Sequence, residues 1–246
     1  MIPKIIHYCW FSGDKKPALI RKCINSWKKH LPDYEIRCWD GNSFDFDSLA
    51  FTREAMSVKQ YAPASDYVRL YALYKYGGIY LDSDVEVFKN FDIFLNDIFF
   101  SGFDESGGNL NIEAGIIGSV KGFPYIKQCM SHFEETPFIH PDGTYDNKII
   151  IAPEIMSKPA IENGLKLIDK EQILPNGIHI YPRTVFANGD YIYNYNKINY
   201  TNLYAIHHNM GAWLNHKHGA LWKFCHKNNL MGLYRSIEKT RLILKK

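Results

Sequence analysis

Two adjacent glycines, Gly77 and Gly78, separate a helical pattern from a short strand, and the strand runs directly into Asp82-Ser83-Asp84. Upstream, Pro63 suits the first turn of a helix. Tyr67, Leu70, Tyr71 and Tyr74 then recur at helical spacing until the double glycine permits a left-handed stop. Ile79-Tyr80-Leu81 is apolar and β-prone, so Asp82 and Asp84 fall just past the carboxyl end of a strand, where open α/β sheets hold their ligands. Residues two apart in extended chain face the same way. Two such carboxylates repel unless a cation or sugar hydroxyls lie between them, which suits Asp-x-Asp to a divalent ion bridging phosphate oxygens. Asp66 and Arg69, one turn apart on the preceding helix, share a face and can point at the same pocket. The unit reads as a metal-assisted diphosphate site. Taken alone, Asp82-Ser83-Asp84 is equally compatible with a solvated loop that opens on capping carboxylates.

The rest of the chain alternates strand and helix. Lys4 to Tyr8 and Tyr34 to Trp39 read as strands, Ala18 to His30 and Phe51 to Lys59 as helices. Phe99 to Phe103 and Ala114 to Gly118 are further strands, followed by a helix near Tyr125 to Phe133. Phe103 to Asn111, rich in glycine and acids, reads as an exposed loop, and the pattern weakens between Phe138 and Ile168. The fold class is therefore α/β, a nucleotide-binding (Rossmann-like) mixed sheet flanked by helices. Residues 1–216 are expected to form one domain and 217–246 a basic helical C-terminal extension.

Composition narrows the function classes. With 246 residues and 46% hydrophobic content the chain can bury a full core. A net charge of +3, with bases interleaved among acids, argues against a nucleic-acid partner. Five cysteines without a Cys-x-x-Cys pair suggest reduced thiols and a cytoplasmic protein, with no zinc site. Neither a basic-then-apolar leader nor an apolar run of membrane-spanning length is present, so a soluble or peripheral protein is expected.

The run Ser65-Asp66-x-x-Arg69 with Gly77-Gly78-x-Tyr80-x-Asp82-x-Asp84 resembles the sugar-binding, Asp-x-Asp segment of glycosyltransferase family 32. That family includes capsule and lipopolysaccharide enzymes, fungal α-mannosyltransferases and, more distantly, the glucosylating domains of clostridial toxins. The opening Ile2-Pro3-Lys4-Ile5-Ile6-His7-Tyr8-Cys9-Trp10-Phe11 and the late Ala205-Ile206-His207-His208-Asn209-Met210-Gly211-Ala212-Trp213 are similar to two further family segments. The resemblance implies a GT-A fold, a nucleotide-sugar donor, Mn²⁺ or Mg²⁺, and retention of anomeric configuration. It gives Trp10 the stacking face for the base, and Asp66 and Arg69 contacts to the donor sugar, the arginine also near the diphosphate. Asp82 would meet ribose and sugar, Asp84 the metal, and Tyr80 would lie beside the site. In the toxins a carboxylate lies five residues before the tryptophan matching Trp213. Here that place holds His208, an acceptable Mn²⁺ ligand, and a one-residue slip would exchange its role with His207. Trp213 would direct its indole N–H at the diphosphate or glycosidic oxygen, and Glu113 would line the donor-sugar pocket.

The resulting expectation is a retaining hexosyltransferase that uses a nucleotide sugar, with a UDP-hexose favoured, to extend a cell-surface saccharide. A metal-dependent phosphohydrolase and a non-catalytic carbohydrate-binding protein are the alternatives. After Lys217, seven further bases (Lys223, Lys227, Arg235, Lys239, Arg241, Lys245, Lys246) accompany the single acid Glu238, with Leu230, Leu233, Ile237 and Leu244 near one helical face. Such a helix either packs on the domain with its basic side solvated, or lies on an anionic membrane surface near a lipid-linked acceptor.

Overall fold

A computed structural model describes residues 1–106, 109–145, 152–188 and 201–209. All but Asn209 belong to a compact unit, Met1–His208. Trp213, the 216/217 boundary and the basic segment 217–246 lie outside the described residues. The elements in chain order are β1 (Ile5–Cys9), α1 (Ala18–His30), β2 (Glu35–Trp39), α2 (Ala50–Ser57), α3 (Tyr61–Tyr76), β3 (Gly78–Leu81) and β4 (Val85–Val87). There follow β5 (Phe99–Ser106), β6 (Asn109–Ser119), α4 (Pro124–Glu135), α5 (Ala152–Glu162), β7 (Gln172–Ile173), β8 (Ile178–Tyr181), β9 (Phe186–Asn188) and β10 (Ala205–His207).

Seven strands form a mixed sheet in the order β2-β1-β3-β6-β5-β8-β7, and β4-β10-β9 make a smaller second sheet. The β1, β2 and β3 strands are parallel, whereas β6 runs antiparallel to both β3 and β5. Side chains alternate across the large sheet as its pleat requires. Tyr80, Phe99 and Ile117 enter a core with α2, α3, α4 and α5. Their neighbours Ile79, Phe100 and Ile116 enter a second core with Trp27 of α1 and with Val85, Phe186 and Ala205 of the small sheet. The large sheet is thus sandwiched between a helical layer and a layer made of α1 and the small sheet. Trp27 ties that layer together by donating its indole N–H to the Val85 carbonyl at 2.7 Å.

The turn from α3 into β3 needs its glycines. Gly77 has φ +68° and Gly78 φ +108°, and a Cβ on Gly78 would lie 2.6 Å from the Ile5 carbonyl oxygen. One expectation is corrected. Phe103 to Asn111 is not an exposed loop: β5 extends to Ser106 and pairs with β6 from Asn109 onward, and Phe103, Asp104 and Asn111 are buried. Within the weak stretch between Phe138 and Ile168 lies α5, a helix with Pro159 inside it.

Candidate active site

The large sheet and the small sheet meet where β3 ends. Asp82 leaves β3 with its backbone N–H donated to the Gly115 carbonyl at 2.8 Å, and Asp84 enters β4 two residues later. Antiparallel to β4, β10 pairs His207 with Val85. One ligand atom each from Asp82, Asp84 and His207 lies within 4.8 Å of the others. His207 Nε2 is 3.3 Å from Asp84 Oδ1 and 3.6 Å from Asp82 Oδ2, while its Nδ1 meets Glu113 Oε1 at 2.9 Å.

His208 points elsewhere. Successive side chains of a strand face opposite ways, and its Nε2 meets Glu86 Oε2 at 3.0 Å, on a carboxylate that Lys22 also holds at 2.8 Å. The expectation that His208 joins the aspartates is therefore corrected: the pair exchanges roles, and His207 is the imidazole beside them. His208 contributes its backbone N–H, donated to the Asp84 carbonyl at 3.1 Å.

Glu113 owes its place to a large bulge in β6. Between the pairs Ser101↔Ile117 and Phe103↔Ile112, four residues of β6 stand opposite Gly102 alone. Each carbonyl in that excursion meets a donor. The Ser101 hydroxyl bridges those of Glu113 (2.6 Å) and Ile116 (3.0 Å), Arg69 Nη1 reaches Ala114 at 2.7 Å, and the Asp82 N–H takes Gly115. Glu113 is only 2% exposed, and its carboxylate accepts the Gly115 N–H at 2.6 Å. It faces His207 rather than opening onto a sugar pocket, which corrects the role expected for it. Gly115 leaves no room for a side chain, since a Cβ there would sit 2.6 Å from the His207 ring and 2.8 Å from Glu113 Oε1.

Arg69 is also more enclosed than expected. At 5% exposure it contacts Asp66 Oδ1 at 2.6 Å, the Ser65 carbonyl and hydroxyl at 3.3 Å each, and Asp82 Oδ1 at 3.6 Å. Its guanidinium lies 4.8 Å from the centre of the Tyr80 ring, and the Tyr80 hydroxyl donates to Asp82 Oδ1 at 2.8 Å. Arg69 and Tyr80 thus orient Asp82 from beneath. Burial raises the Asp66 carboxyl to about 6, although Arg69 pulls it down. Trp10 lies past the carboxyl end of β1, half-buried, with its indole N–H donated to the Asp14 carbonyl at 2.8 Å and Lys16 Nζ 5.3 Å over its ring.

The donor set suits a divalent cation. Two carboxylates and an imidazole nitrogen converge, and the outer nitrogen of the imidazole already has a carboxylate partner, an arrangement typical of metal-binding histidines. Burial alone would lower the His207 pKa, but Glu113 and then Asp84 outweigh it and hold the imidazole well above its ordinary value. The cluster therefore attracts positive charge.

Residues 17–100 match the family described as "Glycosyltransferase sugar-binding region containing DXD motif". This chain is matched over about a third of its length. It is 31% identical over 144 residues to inositol phosphoceramide mannosyltransferase 3 of Schizosaccharomyces pombe, covering 56% of this chain and 38% of that protein. An uncharacterized glycosyltransferase of Acanthamoeba polyphaga mimivirus is 26% identical over 228 residues, 88% of this chain and 85% of the viral one. Among solved structures, an apo-form glycosyltransferase of Streptococcus pneumoniae superposes with a TM-score of 0.50 at 10% identity, over 98% of this chain and 64% of its own. That likeness bears on the fold, which is the GT-A type the motifs imply. Asp82 and Asp84 form an Asp-x-Asp pair within the matched region.

Proposed function

We propose that the protein transfers a hexose from a nucleotide sugar, with a UDP-hexose as the favoured donor, to a saccharide acceptor of cell-surface polysaccharide biosynthesis. The observation that carries this reading is the convergence of Asp82, Asp84 and His207 at the end of β3, within and beside the matched sugar-binding region. Mn²⁺ or Mg²⁺ held there by these three side chains would supply positive charge against the leaving nucleoside diphosphate.

The chain's own residues do the remaining work. Arg69 and Tyr80 fix the Asp82 carboxylate, so that its outward oxygen is preset rather than recruited when donor arrives. Asp66, beside Arg69 and less enclosed, is our candidate for accepting a donor-sugar hydroxyl. Trp10 offers a ring face for the base. Trp213 is proposed to donate its indole N–H toward the diphosphate. We favour retention by same-face displacement. The bond from the anomeric carbon to the phosphate oxygen breaks as the bond to the acceptor oxygen forms, and the departing phosphate takes the acceptor's proton. The commitment of Glu113 to His207 and the Gly115 N–H supports a route without a covalent sugar at that carboxylate.

The yeast relative is named a mannosyltransferase, so a mannosyl donor is the second reading. We keep residues 1–216 as the catalytic domain and 217–246 as a basic extension that packs on it or approaches the inner face of a membrane, near a lipid-linked acceptor. A cytoplasmic location is part of the same proposal. No helix among the described residues is long and apolar enough to cross a membrane.

The test is a panel of nucleotide sugars assayed for nucleoside diphosphate release with Mn²⁺, with Mg²⁺ and with EDTA. Metal-dependent release from one donor class, with NMR detecting the retained anomer first, is the expected result. Release of inorganic phosphate would favour a phosphohydrolase, and sugar binding without turnover a binding protein.

A further inference from the structure

We propose that Glu113 is a positioning residue that sets the cation affinity of the Asp82, Asp84 and His207 group. This inference rests on the metal reading above and assigns a determinant outside the ligand set. A neutral imidazole carries a single N–H, and the atom that accepts it decides which ring nitrogen keeps a lone pair. At 2.9 Å from Nδ1, Glu113 Oε1 draws the proton to that side and leaves Nε2 to face Asp84 at 3.3 Å and Asp82 at 3.6 Å. A negative partner on the far nitrogen also makes Nε2 a stronger donor to a cation.

Glu113 is fixed from behind. Its Oε1 takes the Gly115 N–H at 2.6 Å, which holds the carboxylate within its own bulge. Ser101 pins the two ends of the excursion by bridging the carbonyls of Glu113 and Ile116. Gly115 supplies the space in which carboxylate and imidazole meet, because any Cβ would occupy it. The imidazole is therefore oriented before a cation arrives, and the orienting charge comes from β6, an element that supplies no ligand.

Binding of Mn²⁺ alone to the full-length protein, followed by the electron paramagnetic resonance of free Mn²⁺, tests this directly. Glu113→Gln keeps the size and one acceptor oxygen but removes the charge. It is expected to weaken Mn²⁺ binding by about 10–100-fold, with the thermal midpoint in EDTA close to wild type. In a His207→Ala background the same change should have no further effect, because its influence runs through the imidazole. Should Glu113→Gln fail to fold, Glu113→Asp keeps the charge but withdraws it by one methylene, and is expected to weaken binding by about 3-fold or more. Wild-type affinity in the variant that folds, or an equal loss with and without His207, would overturn the proposal while leaving the metal site standing. Failure of the wild-type protein to bind Mn²⁺ would overturn the metal reading and this inference with it.

Discussion

His7 should make the fold acid-sensitive in a way that one substitution removes. It lies at the centre of β1 with no exposed surface. Its Nδ1 accepts the Trp39 indole N–H at 3.1 Å, so its Nε2 carries the proton and donates to the Gly77 carbonyl at 2.9 Å. Protonation would set an Nδ1–H against the Trp39 N–H, donor against donor, and place a charge in a dry core. Burial accordingly lowers its pKa from 6.5 to about 4, against a smaller raising effect of the Gly77 hydrogen bond. The unfolded chain takes up this proton near pH 6.5 and the folded one only near pH 4. Stability is thus intact above pH 6.5 and is lost as pH falls through the window between the two values. At about 1.4 kcal/mol per unit, the loss reaches roughly 2 kcal/mol at pH 5 and about 3 kcal/mol by pH 4. Urea denaturation at pH 7.5 and pH 5.0, for wild type and His7→Gln, measures it. Other titrating groups contribute to both proteins and cancel in the comparison. The wild type should lose about 2 kcal/mol more than the variant over that interval. Equal losses in the two proteins would refute the assignment of a buried neutral imidazole.

Three further outcomes follow from the site. Gly115→Ala puts a methyl 2.6 Å from the His207 ring; stability measured by urea denaturation should fall by about 1–3 kcal/mol, and metal-dependent turnover should collapse. Arg69→Lys replaces a planar fork shared among Ser65, Asp66, Ala114 and Asp82 with a single ammonium. A loss of about 1–3 kcal/mol in urea denaturation together with reduced kcat is expected. Trp10→Ala should raise the KM for donor by about 10-fold with kcat little changed, since stacking acts on ground and transition states alike.

The parts of this molecule that could be read from sequence are those encoded locally. The helix from Tyr61 to Tyr76, its glycine stop and the aspartates just past β3 follow from spacing and turn chemistry within about two dozen residues. Choosing between His207 and His208 requires the register of β10 against β4, a pairing between segments far apart in the chain, and a one-residue slip reverses every facing. Glu113 was misassigned for a related reason. The bulge that turns it toward His207 is held by Ser101, Arg69 and the Asp82 backbone, and no periodicity within β6 announces it. Asp104 and Asn111 look like loop residues by type, yet the pairing of β5 with β6 buries them. Pro159 hid α5 because an interior proline normally ends a helical reading.

Metal-dependent affinity for UDP, measured by calorimetry with Mn²⁺ and with EDTA, tests the central claim most directly when Asp84→Asn, His207→Ala and His208→Ala are compared with wild type. With a cation held by Asp82, Asp84 and His207, the first two variants should lose Mn²⁺-dependent UDP binding by more than about 10-fold, while His208→Ala stays within about 3-fold. UDP binding that ignores Mn²⁺ in the wild type, that survives Asp84→Asn unchanged, or that suffers more from His208→Ala than from His207→Ala would contradict it.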